Sequence, residues 1–103
     1  MLTDTGRFDT PDAAKYLQQL CKHFAHKVEV KFDTTDRTGH GTVALGMGPA
    51  TLRATAQELT AEVTAPTADE LDHARQIIDN HLARFAFREE FKTMAWQSAT
   101  APA

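Results

Sequence analysis

The chain holds one cysteine, one tryptophan, one tyrosine, four prolines and five glycines among its 103 residues. A single thiol closes no internal bridge, so a disulfide scaffold is excluded. No apolar run is long enough to span a bilayer, and "MLTDTGRFDT" lacks the basic-then-apolar order of a secretory leader. These absences predict a cytoplasmic protein with no membrane partner. Positive charge is short as well: eleven Lys and Arg against fourteen Asp and Glu leave a formal charge of −3, with a pI near 5.9. That balance, and the absence of a basic, aromatic-interleaved strand, argues against nucleic acid as a partner.

What is present is ordinary for a folded domain: 42% hydrophobic and 24% charged residues. A chain of this size buries roughly 65% of its unfolded surface, enough for one core without a metal or staple. One domain over residues 1–103 is expected, with a frayed tail from about residue 97. Any ligand would therefore serve function rather than folding.

Periodicity locates the elements. Thr10, Pro11 and Asp12 suit a helix start, and Ala13, Leu17, Leu20, Cys21 and Phe24 recur at helical spacing, predicting a helix from about Pro11 to His23 or Phe24. Val28, Val30 and Phe32 then alternate with Glu29 and Lys31, and "TTDRTG" reads as a reversal. Strands "GTVALGM", "ATLRATA" and "ELTAEVTA" follow, closely linked and so antiparallel neighbours. In the last two, Leu52, Ala54, Leu59, Ala61 and Val63 form an apolar face, whereas Thr51, Thr55, Thr60 and Thr64 lie on a face expected to be wet. Thr67 and Glu70 form a capping box that starts a second helix, with Leu71, Ala74, Ile78, Leu82 and Phe85 as its buried stripe. "GRFD" before the first helix and "FREEFKTMAW" after the second each offer one further strand. The predicted class is α+β, two-layer: an antiparallel four- to five-stranded sheet with two helices on one face, in the order (β)αββββα(β).

Two blocks carry a family resemblance, "YLQQLCKHFAHKV" from Tyr16 to Val28 and "HLARFAFREEF" from His81 to Phe91. Together they resemble the bacterial family known as domain of unknown function 2218, over nearly the whole chain. Such domains also occur attached to flavin-dependent siderophore-interacting reductases, so the resemblance implies a setting near iron or siderophore handling. It implies no activity, and the chain is read as the free-standing form without flavin or nicotinamide domains.

The residues of these blocks define the candidate chemistry. On a continuous helix Cys21 and His23 point roughly 160° apart and cannot share an ion, whereas His23 and His26 are separated by about 60°. His23 and His26 with His81 are the alternative of a three-ligand metal centre, weighed against surface histidines that complement a helix end. Cys21 lies on the apolar stripe and reads as a buried thiol rather than a nucleophile. The glycines of "GHGTVALGMGP" open no helix, so no nucleotide site and no cofactor are expected. Arg84 and Arg88 either complement the end of the second helix, with Glu89 and Glu90 paired to them, or form with Lys27 an anion site. Small residues at Ala54, Ala56, Ala61 and Ala65 imply close helices or a cleft, with close packing favoured.

The expected function is a small binding or accessory module with ligand residues His23, His26, Lys27, His81, Arg84, Arg88 and Glu89. Its partner is a small anionic ligand or a protein, and a homodimer is compatible with the pattern. The competing class is a small enzyme or metal-binding protein centred on His23, His26 and His81. His81 is expected to be the least exposed histidine, bonded to a group of the first helix or the segment after it, with the Cys21–Lys27 block as the leading source.

Overall fold

The computed structural model describes residues 2–89, 91 and 93–97. Strand β1 (Leu2–Asp9) leads into helix α1 (Ala13–Phe24), strands β2 (Val30–Thr34), β3 (Gly39–Leu45), β4 (Gly48–Ala54) and β5 (Glu58–Ala65), helix α2 (Ala68–Phe85), and a short final strand β6 (Ala95–Trp96). The α+β class and the antiparallel neighbours agree with the sequence pattern. The sheet is larger than expected: among the described residues it has six strands in the order β2-β3-β4-β5-β1-β6, all pairs antiparallel. Of the predicted frayed tail from about residue 97, Gln97 is held to β1, its backbone N donating to Thr5 O at 2.9 Å, whereas residues 98–103, like Glu90, lie outside the described residues.

The main correction is at β1, which runs eight residues rather than the four of "GRFD". Its register sets Asp4 opposite Val63, Gly6 opposite Ala61 and Phe8 opposite Leu59, so all three face the core. Two of those three are not apolar, which hides the period of two. The Asp4 side chain has no solvent exposure and its Oδ2 accepts from Arg75 Nε of α2 at 2.6 Å. Gly6 is required for a different reason: a Cβ there would lie 2.8 Å from Trp96 Cε3 and 3.0 Å from Met94 Cβ.

Helix α1 begins two residues later than Pro11. Thr10 Oγ1 accepts from Asp12 N at 3.1 Å, a hydroxyl turn that sets up the start, and Asp12 becomes the cap residue. Helix α2 begins as its capping box predicts, with Thr67 accepting from Glu70 N at 3.2 Å. Both helices pack on one face, over Val43, Ala50, Leu52, Leu59, Ala61 and Val63, all fully buried. Cys21 sits so close over β3 that a Cβ on Gly41 would come within 2.9 Å of its Sγ. Close packing, not a cleft, therefore explains the small residues Ala54, Ala61 and Ala65. Ala56 does not belong with them: it is exposed in the β4–β5 turn, which Thr55 N closes by donating to Glu58 O at 2.9 Å. Phe85 is half-buried rather than part of the core stripe.

The opposite face carries the threonines. Thr55 is exposed, and Thr51, Thr60 and Thr64 are half-buried between exposed Arg53 and Glu62. At the β3–β4 reversal Gly48 holds φ at 155°, and a Cβ there would strike the Thr64 carbonyl at 2.7 Å. Beyond α2 the chain makes one 3-10 turn, Phe87–Glu89, then returns to the sheet. Asp79 fastens that return, accepting from Thr93 Oγ1 at 2.7 Å, Met94 N at 2.9 Å and Trp96 Nε1 at 3.0 Å. No helix among the described residues is long and apolar enough to cross a membrane.

Candidate functional site: the junction of the two helix ends

Tyr16, Gln19 and His23 share one face of α1, since steps of three and four residues return to nearly the same direction. Along that face lies the second block. Its last helical turn brings His81 and Phe85 to the end of α1: the His23 and His81 rings are 4.9 Å apart, Phe24 and His81 4.8 Å, and His23 and Phe85 6.2 Å. The 3-10 turn then doubles back to the start of α1, where Glu89 accepts from Tyr16 OH and, at 3.0 Å, from Thr10 Oγ1.

The structure thus divides the seven predicted ligand residues into two groups. His23, His26, Lys27, His81 and Arg84 gather at the carboxyl ends of the two helices. Arg88 and Glu89 lie at the other end of α1, in a cleft of about 370 Å³ lined also by Asp12, Lys15, Tyr16, Phe85 and Phe87. Phe85 belongs to both, so the two groups are parts of one strip.

At the first group the charged neighbours acting on His23 are His81, Arg84, Lys27 and His26, every one of them basic. Burial first, and then the coulombic influence of these basic neighbours, hold the His23 imidazole below its ordinary pKa of 6.5. Two helix carboxyl ends meet here, and their partial negative charge offsets part of the repulsion a positive charge meets at this place.

His81 is half-buried, as is His23, while His26, His40 and His73 are exposed. Its expected bond to the first helix is not made. Nδ1 lies 2.6 Å from the carbonyl of Ile77 in its own helix. A carbonyl only accepts, so Nδ1 carries the proton, and in the neutral ring Nε2 keeps its lone pair. The contact with the first block is made by the ring faces of His23 and Phe24 instead.

Among the described residues no group of three His, Cys, Asp or Glu side chains is placed to hold a metal ion. The alternative centre of His23, His26 and His81 therefore does not form: the helix ends after Phe24, and His26 sits in the exposed turn beyond it. Cys21 is fully buried, and burial pushes its thiol up to about 11, which removes it as a nucleophile at neutral pH.

At the second group Glu89 is taken up by Tyr16 and Thr10, not by the arginines. Burial, followed by this carboxylate, pushes the Tyr16 hydroxyl up to about 12. Arg88 lies over the Phe87 ring, 5.8 Å from its centroid, and that ring is 64% exposed. Sequence reasoning singled out Arg88 and Glu89 but missed Lys15 and Phe87. The legible signal was the seven-residue interval from Tyr16 to His23, which marks a helix face with chemistry at both ends. A larger depression, about 530 Å³, lies on the open sheet face among Asp33, Thr38, His40, Thr51 and Arg53, away from both blocks. Its lining carries the His40 ring but no phenylalanine or tyrosine, whereas the helix junction adds Tyr16, Phe85 and Phe87 to its basic groups and is the better site.

The family described as "Uncharacterized protein conserved in bacteria (DUF2218)" matches residues 5–97. The chain belongs to this family. Both blocks of the helix junction fall within the matched span, so the strip is built from family sequence. Among solved structures the chain is similar to PA4090 from Pseudomonas aeruginosa, determined by NMR, with 32% sequence identity and a TM-score of 0.72. That likeness covers 96% of this chain and 98% of the other. A comparison with curated proteins finds no match. The match to the family agrees with the resemblance seen in "YLQQLCKHFAHKV" and "HLARFAFREEF".

Proposed function

We propose that this family member is a small binding module that takes an anionic ligand, a carboxylate or phosphate compound, at the junction of the two helix ends. The observation that carries this reading is the half-buried His23 surrounded by His81, Arg84, Lys27 and His26, a wholly basic set in a chain of net charge −3. Arg84 supplies a planar fork suited to a carboxylate or phosphate, and the imidazoles supply shorter donors. The cleft at Arg88 and Lys15 is where a longer ligand extends, with Phe87 offering a ring face. A setting near iron or siderophore handling rests on the family resemblance, and ferric citrate is the corresponding probe.

The linkage sign is determined by His23. Its folded pKa lies below 6.5, and a bound anion favours the charged imidazole, so binding takes up a proton and strengthens as pH falls. Isothermal titration with phosphate, citrate and ferric citrate at pH 6 and pH 8 tests this. Saturable binding, tighter at the lower pH and weakened about tenfold or more by Arg84→Ala, is expected, since a hydrogen bond to a charged group contributes about 1.5–3 kcal/mol. Absence of saturable binding at both pH values, or binding indifferent to Arg84→Ala, overturns the proposal.

A further inference from the structure

Among the described residues the sheet ends in open backbone at β2, which pairs there with β3 alone. The ladder shows which groups face outward. Ala44 N donates to Glu29 O at 3.0 Å and Thr35 N donates to Thr38 O at 2.8 Å. Hydrogen-bonded and non-bonded positions alternate in an antiparallel pair. Lys31 and Asp33 therefore turn their backbone groups toward β3, while Val30, Phe32 and Thr34 present theirs to the free edge. Edges of this kind are commonly blunted by a bulge, a proline, an inward charge or edge lysines, and of these guards β2 has the lysine, Lys31. Here the central helix-side residue is Phe32, 37% exposed, and no proline interrupts the strand.

The geometry points to a second copy of this chain as the occupant of that edge, β2 against β2, antiparallel about a two-fold axis at Phe32. Phe32 then faces its counterpart and Val30 faces Thr34, and each facing pair exchanges two backbone hydrogen bonds. On the outer face Lys31 of each copy stands opposite Asp33 of the other. The neighbouring registers keep the same backbone bonding but move the axis to Lys31 or to Asp33, setting like charges directly opposite each other. Opposite charges stabilise a cross-strand pair and like charges destabilise it, so the sequence Lys31-Phe32-Asp33 selects one register. The axis lies at the far edge of the sheet from β1 and β6, and the interface is isologous, as two-fold dimers require.

Sedimentation equilibrium from micromolar to millimolar protein should show a reversible dimer. Lys31→Asp and Asp33→Lys should each weaken it about tenfold or more, because two pairs turn from attractive to repulsive together. The double variant Lys31→Asp/Asp33→Lys should restore association. Amide hydrogen exchange on the unaltered chain gives a readout that needs no variant: exchange at Phe32 should slow as concentration rises, while Lys31 and Asp33 stay protected throughout. A chain that remains monomeric at millimolar concentration overturns the inference. So does a dimer in which Phe32 exchange is independent of concentration, or one that the single charge reversals leave intact.

Discussion

Replacing Arg75 with methionine keeps the aliphatic stem and removes the guanidinium from a carboxylate with no solvent exposure. The Arg75 side chain is itself only 15% exposed, and its Nε approaches Asp4 Oδ2 at 2.6 Å. Asp4 Oδ1 also accepts from Thr5 N at 2.8 Å, so the carboxylate retains some support in the variant. Breaking a buried pair from one side destabilises by about 3–5 kcal/mol, and the partial exposure of Arg75 places the expectation near about 3 kcal/mol. With a urea slope of about 1.5 kcal/mol per molar, the unfolding midpoint should fall by about 2 M. The double variant Asp4→Leu/Arg75→Met should recover most of that loss, because replacing both partners with apolar groups of similar volume is often neutral. Urea titrations followed by circular dichroism on the two single variants and the double variant measure the coupling. A loss under about 1 kcal/mol in Arg75→Met would place this contact among ordinary surface pairs and refute the argument.

Three further outcomes follow from local geometry. Thr67→Ala should cost about 1 kcal/mol through the lost cap on Glu70 N, with anion binding unchanged; an unshifted denaturation midpoint would count against it. Gly6→Ala should push Trp96 and Met94 away from β1, costing about 1–3 kcal/mol and changing the emission of the single tryptophan; wild-type fluorescence would show that the contact is slack. The Cys21 thiol should label with iodoacetamide only as fast as the protein opens, given its complete burial and a pKa near 11; rapid labelling of the native protein at pH 7.5 would contradict the packing over Gly41.

The sequence made the helices and the middle hairpins legible because their apolar positions keep strict periods. Leu71, Ala74, Ile78 and Leu82 recur at helical spacing, and Leu59, Ala61 and Val63 at every second residue, all of them buried. β1 was only half legible because Asp4 and Gly6 occupy inward positions for reasons that lie elsewhere in the chain: Arg75 compensates one and Trp96 demands the other. β6 is two residues long and has no period to read; what holds its approach is the Asp79 carboxylate. In the candidate site, blocks rich in His, Phe and Arg were visible, and helical phase explains the meeting of Tyr16 and His23 with the second block. The hydrogen bonds were not visible. His81 found a backbone carbonyl four residues back, a partner with no side-chain signature, and Glu89 bypassed the arginines beside it for two hydroxyls distant in the chain.

The place of β1 in the sheet has a consequence for the order of folding. β2 through β5 are joined by tight reversals and pair in succession, so they can form as each is synthesised. β1 is made first but lies between β5 and β6, and must wait for partners that emerge long after it. Such non-local pairing slows folding, because chain closure must precede the contacts that reward it. Until β5 is made, β4 is an unpaired edge strand whose inward residues are Ala50, Leu52 and Ala54, and α1 has been made without its full sheet beneath it. The nascent chain therefore passes through a state with a long apolar edge exposed, the kind of intermediate most prone to self-association. The Asp4 carboxylate weakens the apolar character of β1 itself during that interval, and Arg75 reaches it only once α2 has formed.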